Sequence, residues 1–87
     1  MQEFIGKYRI AYYYIYRMVP MLKNNLKSYR HRQEMNQKEF AAYLGVSLSL
    51  YNNWERQHRQ PSLEWALKLA KRLNCHVDDI VELEDTE

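Results

Sequence analysis

Eighty-seven residues with a formal net charge of +2, 46% hydrophobic and 28% charged, make one small domain. A chain of this size buries only about 60–65% of the surface that its unfolded form exposes, which leaves little room for an enclosed catalytic pocket and disfavours an enzyme. The single cysteine, Cys75, excludes an intrachain disulfide and makes a reducing cytoplasm the natural location.

The first twenty residues stand apart from the rest, with tyrosines at 8, 12, 13, 14 and 16. In this tract the longest uncharged run, Ile10 to Tyr16, has seven residues, where a membrane span needs about 18–20. A secretory signal would want a Leu/Ala-rich centre and a small-residue cleavage site, and the tract instead ends in Arg17 and Pro20. Its β-branched and aromatic density favours a strand over Lys7 to Met18. One strand is not stable alone, so residues 1–20 are expected to act as a dimerisation arm that pairs with a second copy or with a groove on the body. The alternatives are a loosely packed leader, a helix starting near Glu3, or an upstream extension before a natural start at Met21.

The body reads as five helices with short connections. The first is expected over Leu22 to Gln33, with Leu22, Leu26 and Tyr29 at i, i+4, i+7 as its core-facing stripe. Asn36 is an N-cap for a second helix, Gln37 to Leu44, which turns Phe40, Ala41 and Leu44 inward. Gly45 tolerates the positive φ that a tight turn requires, and Val46 plugs the corner. Ser47 caps a third helix whose inner face is Tyr51 and Trp54, while Leu48, Ser49, Asn52, Asn53 and Arg56 form its free face. Ser62 caps a fourth helix with Leu63, Ala66, Leu67, Ala70 and Leu73 inward and Trp65 outside beside Leu69; it stops near Asn74, which accepts a left-handed conformation. A short fifth follows His76, with Val77, Ile80 and Val81 apolar and Asp78 and Asp79 in the first turn, where the helix dipole favours negative charge.

Charge is unevenly spread. Met21 to His76 holds ten Lys/Arg against four acids, +6, whereas Val77 to Glu87 has six acids and no base, −6, and the first twenty residues carry +2. A basic body with an acidic end suits a protein that docks one face on phosphates and turns the other away.

Gln37 to Arg56 (QKEFAAYLGVSLSLYNNWER) thus has the spacing of a DNA-reading helix-turn-helix, and a mostly short polar free face suits a major groove. The chain resembles the lambda-repressor-like helix-turn-helix regulators of Cro and Xre type over about Leu22 to Leu83. The likeness rests on LKSYRHRQ before Asn36 and Gln37, the Leu-Gly-Val turn, Glu55-Arg56, the loop Gln57 to Gln60, and Pro61-Ser62-Leu63, all in register.

The resemblance implies an all-α, compact five-helix domain over residues 21–83, with the N-terminal extension before it and an acidic tail over 84–87. It implies a dimeric transcriptional regulator, most often a repressor, that reads double-stranded DNA at an inverted-repeat operator with the third helix, about 47–56. Leu48, Ser49 and Asn53 match the family's base-facing positions, with Asn52 a neighbour that meets base or backbone. Gln37 matches a phosphate-clamping position, and Lys38, Arg56 and Arg59 are expected to neutralise phosphates. Arg30 and Glu55 match a family pair that ties the first helix to the end of the third.

The expected core is Leu26, Phe40, Leu44, Val46, Tyr51, Trp54, Leu63, Ala70, Leu73 and Ile80. Candidate dimer contacts are Trp65, Leu69, Val81 and Leu83. Three departures from the family pattern stand out. Gln57 occupies a position where glycine commonly ends the third helix, so this turn is strained or ends differently. Tyr51 replaces an aliphatic residue and could bring a hydroxyl near DNA. Leu50 stands where a small polar residue is usual, and is expected to tuck under the second helix.

Other classes fit less well. An antitoxin, phage-type switch component or protein-binding adaptor would use the same domain with a protein partner on the N-terminal arm. No cofactor and no metal are expected: His31 and His58 are far apart, Cys75 and His76 do not make a tetrahedral set, and no nucleophile triad or phosphate-cradling glycine loop occurs.

Overall fold

A computed structural model describes residues 22–84. The expectations for residues 1–20, and the last three residues of the acidic tail, lie outside the described residues. In chain order the elements are β1 (Leu22–Asn24), α1 (Leu26–Arg32), α2 (Gln37–Leu44), α3 (Leu48–Glu55), α4 (Leu63–Leu73), α5 (Val77–Ile80) and β2 (Val81–Leu83).

Three helix starts follow from local side-chain chemistry. Asn36 and Glu39 form a reciprocal capping box on α2, with Glu39 N donating to Asn36 Oδ1 at 2.8 Å and Asn36 N to Glu39 Oε1 at 2.9 Å. Ser47 Oγ accepts from Leu50 N at the start of α3, and Ser62 Oγ from Trp65 N at the start of α4, each at 3.1 Å. Gly45 ends α2 at φ +78°, and Asn74 ends α4 at φ +54°; both are left-handed as expected.

The described core is built from Leu26, Phe40, Ala41, Leu44, Tyr51, Trp54, Leu69, Ala70 and Ile80, with Val46, Leu50 and Leu73 half-buried against it. Aromatic rings join its parts. Phe40 on α2 meets Tyr51 on α3 edge-on at 5.4 Å between centroids, and Trp54 meets Trp65 on α4 edge-on at 5.7 Å. Arg72 also clamps α4 to α2: its guanidinium lies 4.0 Å from the Tyr43 ring centroid, and its Nε donates to the Tyr43 carbonyl at 2.9 Å.

The fold departs from the sequence reading at the edges of the bundle. Leu22 does not start the first helix. It is exposed in β1, which pairs antiparallel with β2 in the register Leu22↔Leu83, Lys23↔Glu82, Asn24↔Val81. Val81 accordingly leaves the fifth helix, half-buried against the core, and Leu83 is exposed across from Leu22. A three-residue strand is too short for an alternating pattern to reveal it, and its partner lies some sixty positions away. Lys23 and Glu82, directly opposed, form a 3.3 Å ion pair across the ladder.

Helix α4 is rotated from its expected orientation. Leu63 is 74% exposed and Leu67 is also exposed, whereas Leu69 is 1% exposed in the core and Trp65 is half-buried against Trp54. Ala66, Leu69, Ala70 and Leu73 follow the i, i+3, i+4, i+7 pattern, and Leu67 stands about 100° round the helix from Ala66. Leu63 is therefore not a core residue. Leu69, expected as a dimer contact, is taken up in the core instead, and Trp65 is partly covered.

Candidate nucleic-acid interface

Helices α2 and α3 are joined by three residues, and Gly45 makes the corner. Its amide and that of Val46 donate to the Ala42 and Ala41 carbonyls, at 3.1 and 3.0 Å, so the end of α2 is closed before α3 begins. The fully buried side chains of Tyr51 and Trp54 pin the inner face of α3. That fixes which residues look outward: Leu48 and Ser49 are exposed, and Asn52 and Asn53 are half-exposed. The four side chains at the expected base-facing positions therefore share one accessible helix face.

The phosphate candidates fall at two places on the chain. Gln37 and Lys38 are the first two residues of α2, where unpaired backbone N–H groups and the positive end of the helix dipole favour an anion. Arg56 and Arg59 are exposed on the turn that follows α3.

Beneath them lies the expected link. Arg30 Nε donates to Glu55 Oε2 at 3.0 Å and Arg30 Nη2 to Glu55 Oε1 at 2.8 Å, a two-pronged pair, while Nη1 donates to the Met35 carbonyl at 3.1 Å. The two side chains are only 14% and 5% exposed. Burial alone would push the Glu55 carboxyl up. The two bonds donated by Arg30, with the Arg30 charge, outweigh it and hold the carboxyl below its ordinary value. Glu55 in turn raises Arg30 against the opposing effect of burial.

The Tyr51 hydroxyl does not reach the surface. It is buried next to Glu55 and Arg30, lacks a partner in full hydrogen-bond geometry, and is raised first by burial and then by the Glu55 carboxylate. The larger ring fills the space under α3 and carries its hydroxyl to the ion pair.

Three residues without a site role in the sequence reading hold the other side of α3. Asn24, 5% exposed in β1, donates from Nδ2 to the Trp54 carbonyl at 2.7 Å and to Gln60 Oε1 at 2.8 Å, with Gln57 Oε1 at 3.3 Å. Gln57 brackets the Asn24 backbone, accepting from its N–H at 3.1 Å and donating to its carbonyl at 3.0 Å. Gln60 donates to Gln57 Oε1 at 2.8 Å. Gln57 itself sits at φ +64°, so the turn is strained where a glycine would not be. The one signal in the sequence was Gln57 at a glycine position; nothing marked Asn24.

Among the described residues no group of histidine, cysteine and carboxylate side chains could hold a metal ion, and no helix is long and apolar enough to cross a membrane.

A helix-turn-helix family model matches residues 26–80, the span from α1 through α5. Over 66 residues, 76% of this chain and all of the relative, the chain is 38% identical to an uncharacterized helix-turn-helix-type transcriptional regulator of Methanocaldococcus jannaschii. A crystal structure of a Bacteroides fragilis protein with a proposed DNA-binding role shares the fold at a TM-score of 0.61, with 24% identity, over 71% of this chain and all of that one.

Proposed function

This chain belongs to the Cro/C1-type helix-turn-helix family, and on that premise we propose that it binds double-stranded DNA as a dimeric transcriptional regulator, a repressor, reading the major groove with α3. The observation that carries the reading is the accessible face of α3. A helix pinned by Tyr51 and Trp54 leaves Leu48, Ser49, Asn52 and Asn53 available on one side.

Asn53 bonds adenine N6 and N7 as a bidentate pair, Ser49 reads permissively, and Leu48 touches a thymine methyl, which favours half-sites containing A·T pairs. Asn52 meets a neighbouring base or the backbone. Gln37, Lys38, Arg56 and Arg59 neutralise phosphates and set the register. The Arg30–Glu55 pair holds α3 at its docking angle. Residues 21–83 are the DNA-binding unit, with 84–87 as an acidic tail.

One short helix reads too few bases for selectivity, so two copies bind half-sites of an inverted repeat about one helical turn apart. Leu83, exposed at the sheet, and the tyrosine-rich residues 1–20 are the surfaces for that pairing. The lone cysteine fits action in the cytoplasm.

Selection of bound sequences from a random duplex library tests the proposal. Enrichment of an A·T-containing inverted repeat is expected. No enrichment, with binding at low salt only or none, would reject sequence-specific regulation.

A further inference from the structure

The amide cluster at the end of α3 is unusual in where its bonds go. Asn24 is the only polar residue among the described ones that is buried, and its side chain is spent on the last turn of α3 and on the turn after it. The Trp54 carbonyl it reaches belongs to the helix terminus, where carbonyls lack partners within the helix. Gln57 pairs with both backbone polar groups of Asn24, as a neighbouring strand residue would, and Gln60 Nε2 reaches the Leu22 carbonyl at 3.3 Å. Two side-chain amides thus line the edge of β1 that β2 does not occupy.

The same turn is tied to the reading helix. The amides of His58 and Arg59 both donate to the Asn53 carbonyl, at 3.0 and 3.2 Å, and the amide of Arg56 to the Asn52 carbonyl at 3.0 Å. The turn therefore hangs from the two asparagines of the candidate reading face and carries both of the nearby arginines. Gln57 adopts its left-handed backbone in the middle of this turn, a conformation costly for a residue with a side chain unless neighbouring bonds hold it.

We propose that Asn24, Gln57 and Gln60 form a latch that fixes the Arg56–Gln60 turn against β1, making Asn24 and Gln57 positioning residues for the DNA contacts of Asn53, Arg56 and Arg59. The proposal rests on the DNA-binding reading above and deepens it. It assigns the strand that precedes the helix-turn-helix a role in how the far end of α3 meets the phosphate backbone.

The test is Gln57→Gly in the full chain. Glycine relieves the left-handed backbone, which offsets its greater freedom in the unfolded state, while the bonds that the Gln57 side chain makes to Asn24 and Gln60 are lost. Thermal stability is expected to stay close to that of the parent protein. Amide hydrogen exchange without DNA is expected to speed up by about ten-fold or more at residues 57–59, with the amides of α2 and of Tyr51 unchanged. Affinity for duplex DNA is expected to fall about three- to ten-fold, with the slope of log affinity against log salt reduced by about one phosphate contact.

Unchanged exchange in the turn would overturn the latch. A loosened turn with unchanged affinity and salt slope would overturn the positioning role. If the parent protein binds no duplex, the DNA-binding reading fails and the positioning role with it, while the exchange data still decide whether the latch exists. Gln60→Ala removes only the outer member. It is expected to give the same pattern with smaller changes, and supplies the test if Gln57→Gly does not fold.

Discussion

The two ends of α3 are held by different physics. At its N-terminus everything is local: Gly45 turns the chain, and Ser47 accepts the amide of a residue three positions on. At its C-terminus the side-chain partners come from far along the chain. Arg30, 25 positions away, grips Glu55, and Asn24, 30 positions away, holds the Trp54 carbonyl. A cap closes whenever its own few residues fold, but a long-range grip forms only once the bundle has assembled. The start of α3 is thus set by short-range sequence, and its far end by long-range side-chain contacts with the rest of the domain.

If that contrast is right, the far end should be the costlier one to damage. Glu55→Ala is expected to lower stability by about 2–3 kcal/mol in chemical denaturation. This is less than the ~3–5 for a fully enclosed pair because Arg30 keeps some solvent. A cost no greater than that of removing the Ser47 cap would break the comparison.

Gly45→Ala comes next, at about 1–2 kcal/mol, the price of an alanine in the left-handed region. No atom lies within 4 Å of the added methyl, so the backbone alone is responsible. Ser47→Ala should cost about 1 kcal/mol, the usual value of a lost N-cap.

Acid sharpens the distinction further. The folded-state pKa of Glu55 lies below its unfolded value, so its contribution is complete above the unfolded value, about 4.3, and is lost as pH falls through the folded value. The stability gap between the parent protein and Glu55→Gln should narrow as pH falls below about 4.3, while the gap for Ser47→Ala stays flat. Equal pH dependence of the two would contradict the assignment of the ion pair.

The same division explains what could be read in the sequence. Asn36, Gly45, Ser47, Ser62 and Asn74 announce helix ends through chemistry confined to a few neighbours, and the structure has each of them in its expected role. Tyr51 and Trp54 face inward because their spacing leaves little choice. The strands β1 and β2 were not legible, since each is three residues long and neither is a strand without the other. Helix α4 offers leucines at 63, 67, 69 and 73, enough for two overlapping stripes. Only the docking of Trp65 onto Trp54 decides between them, which buries Leu69 and leaves Leu63 and Leu67 outside. Asn24 looks like any polar residue ahead of a helix until the turn at Gln57 comes to rest on it.

The central claim is that the outer face of α3 reads DNA while its inner face only supports the fold. The most direct measurement is the affinity of the parent protein and of Asn53→Ala for the same selected duplex at one fixed salt concentration, with both melting temperatures recorded. A loss of about 1–3 kcal/mol in binding and little change in melting are expected. Unchanged binding, or a binding loss that follows a matching loss of stability, would contradict it.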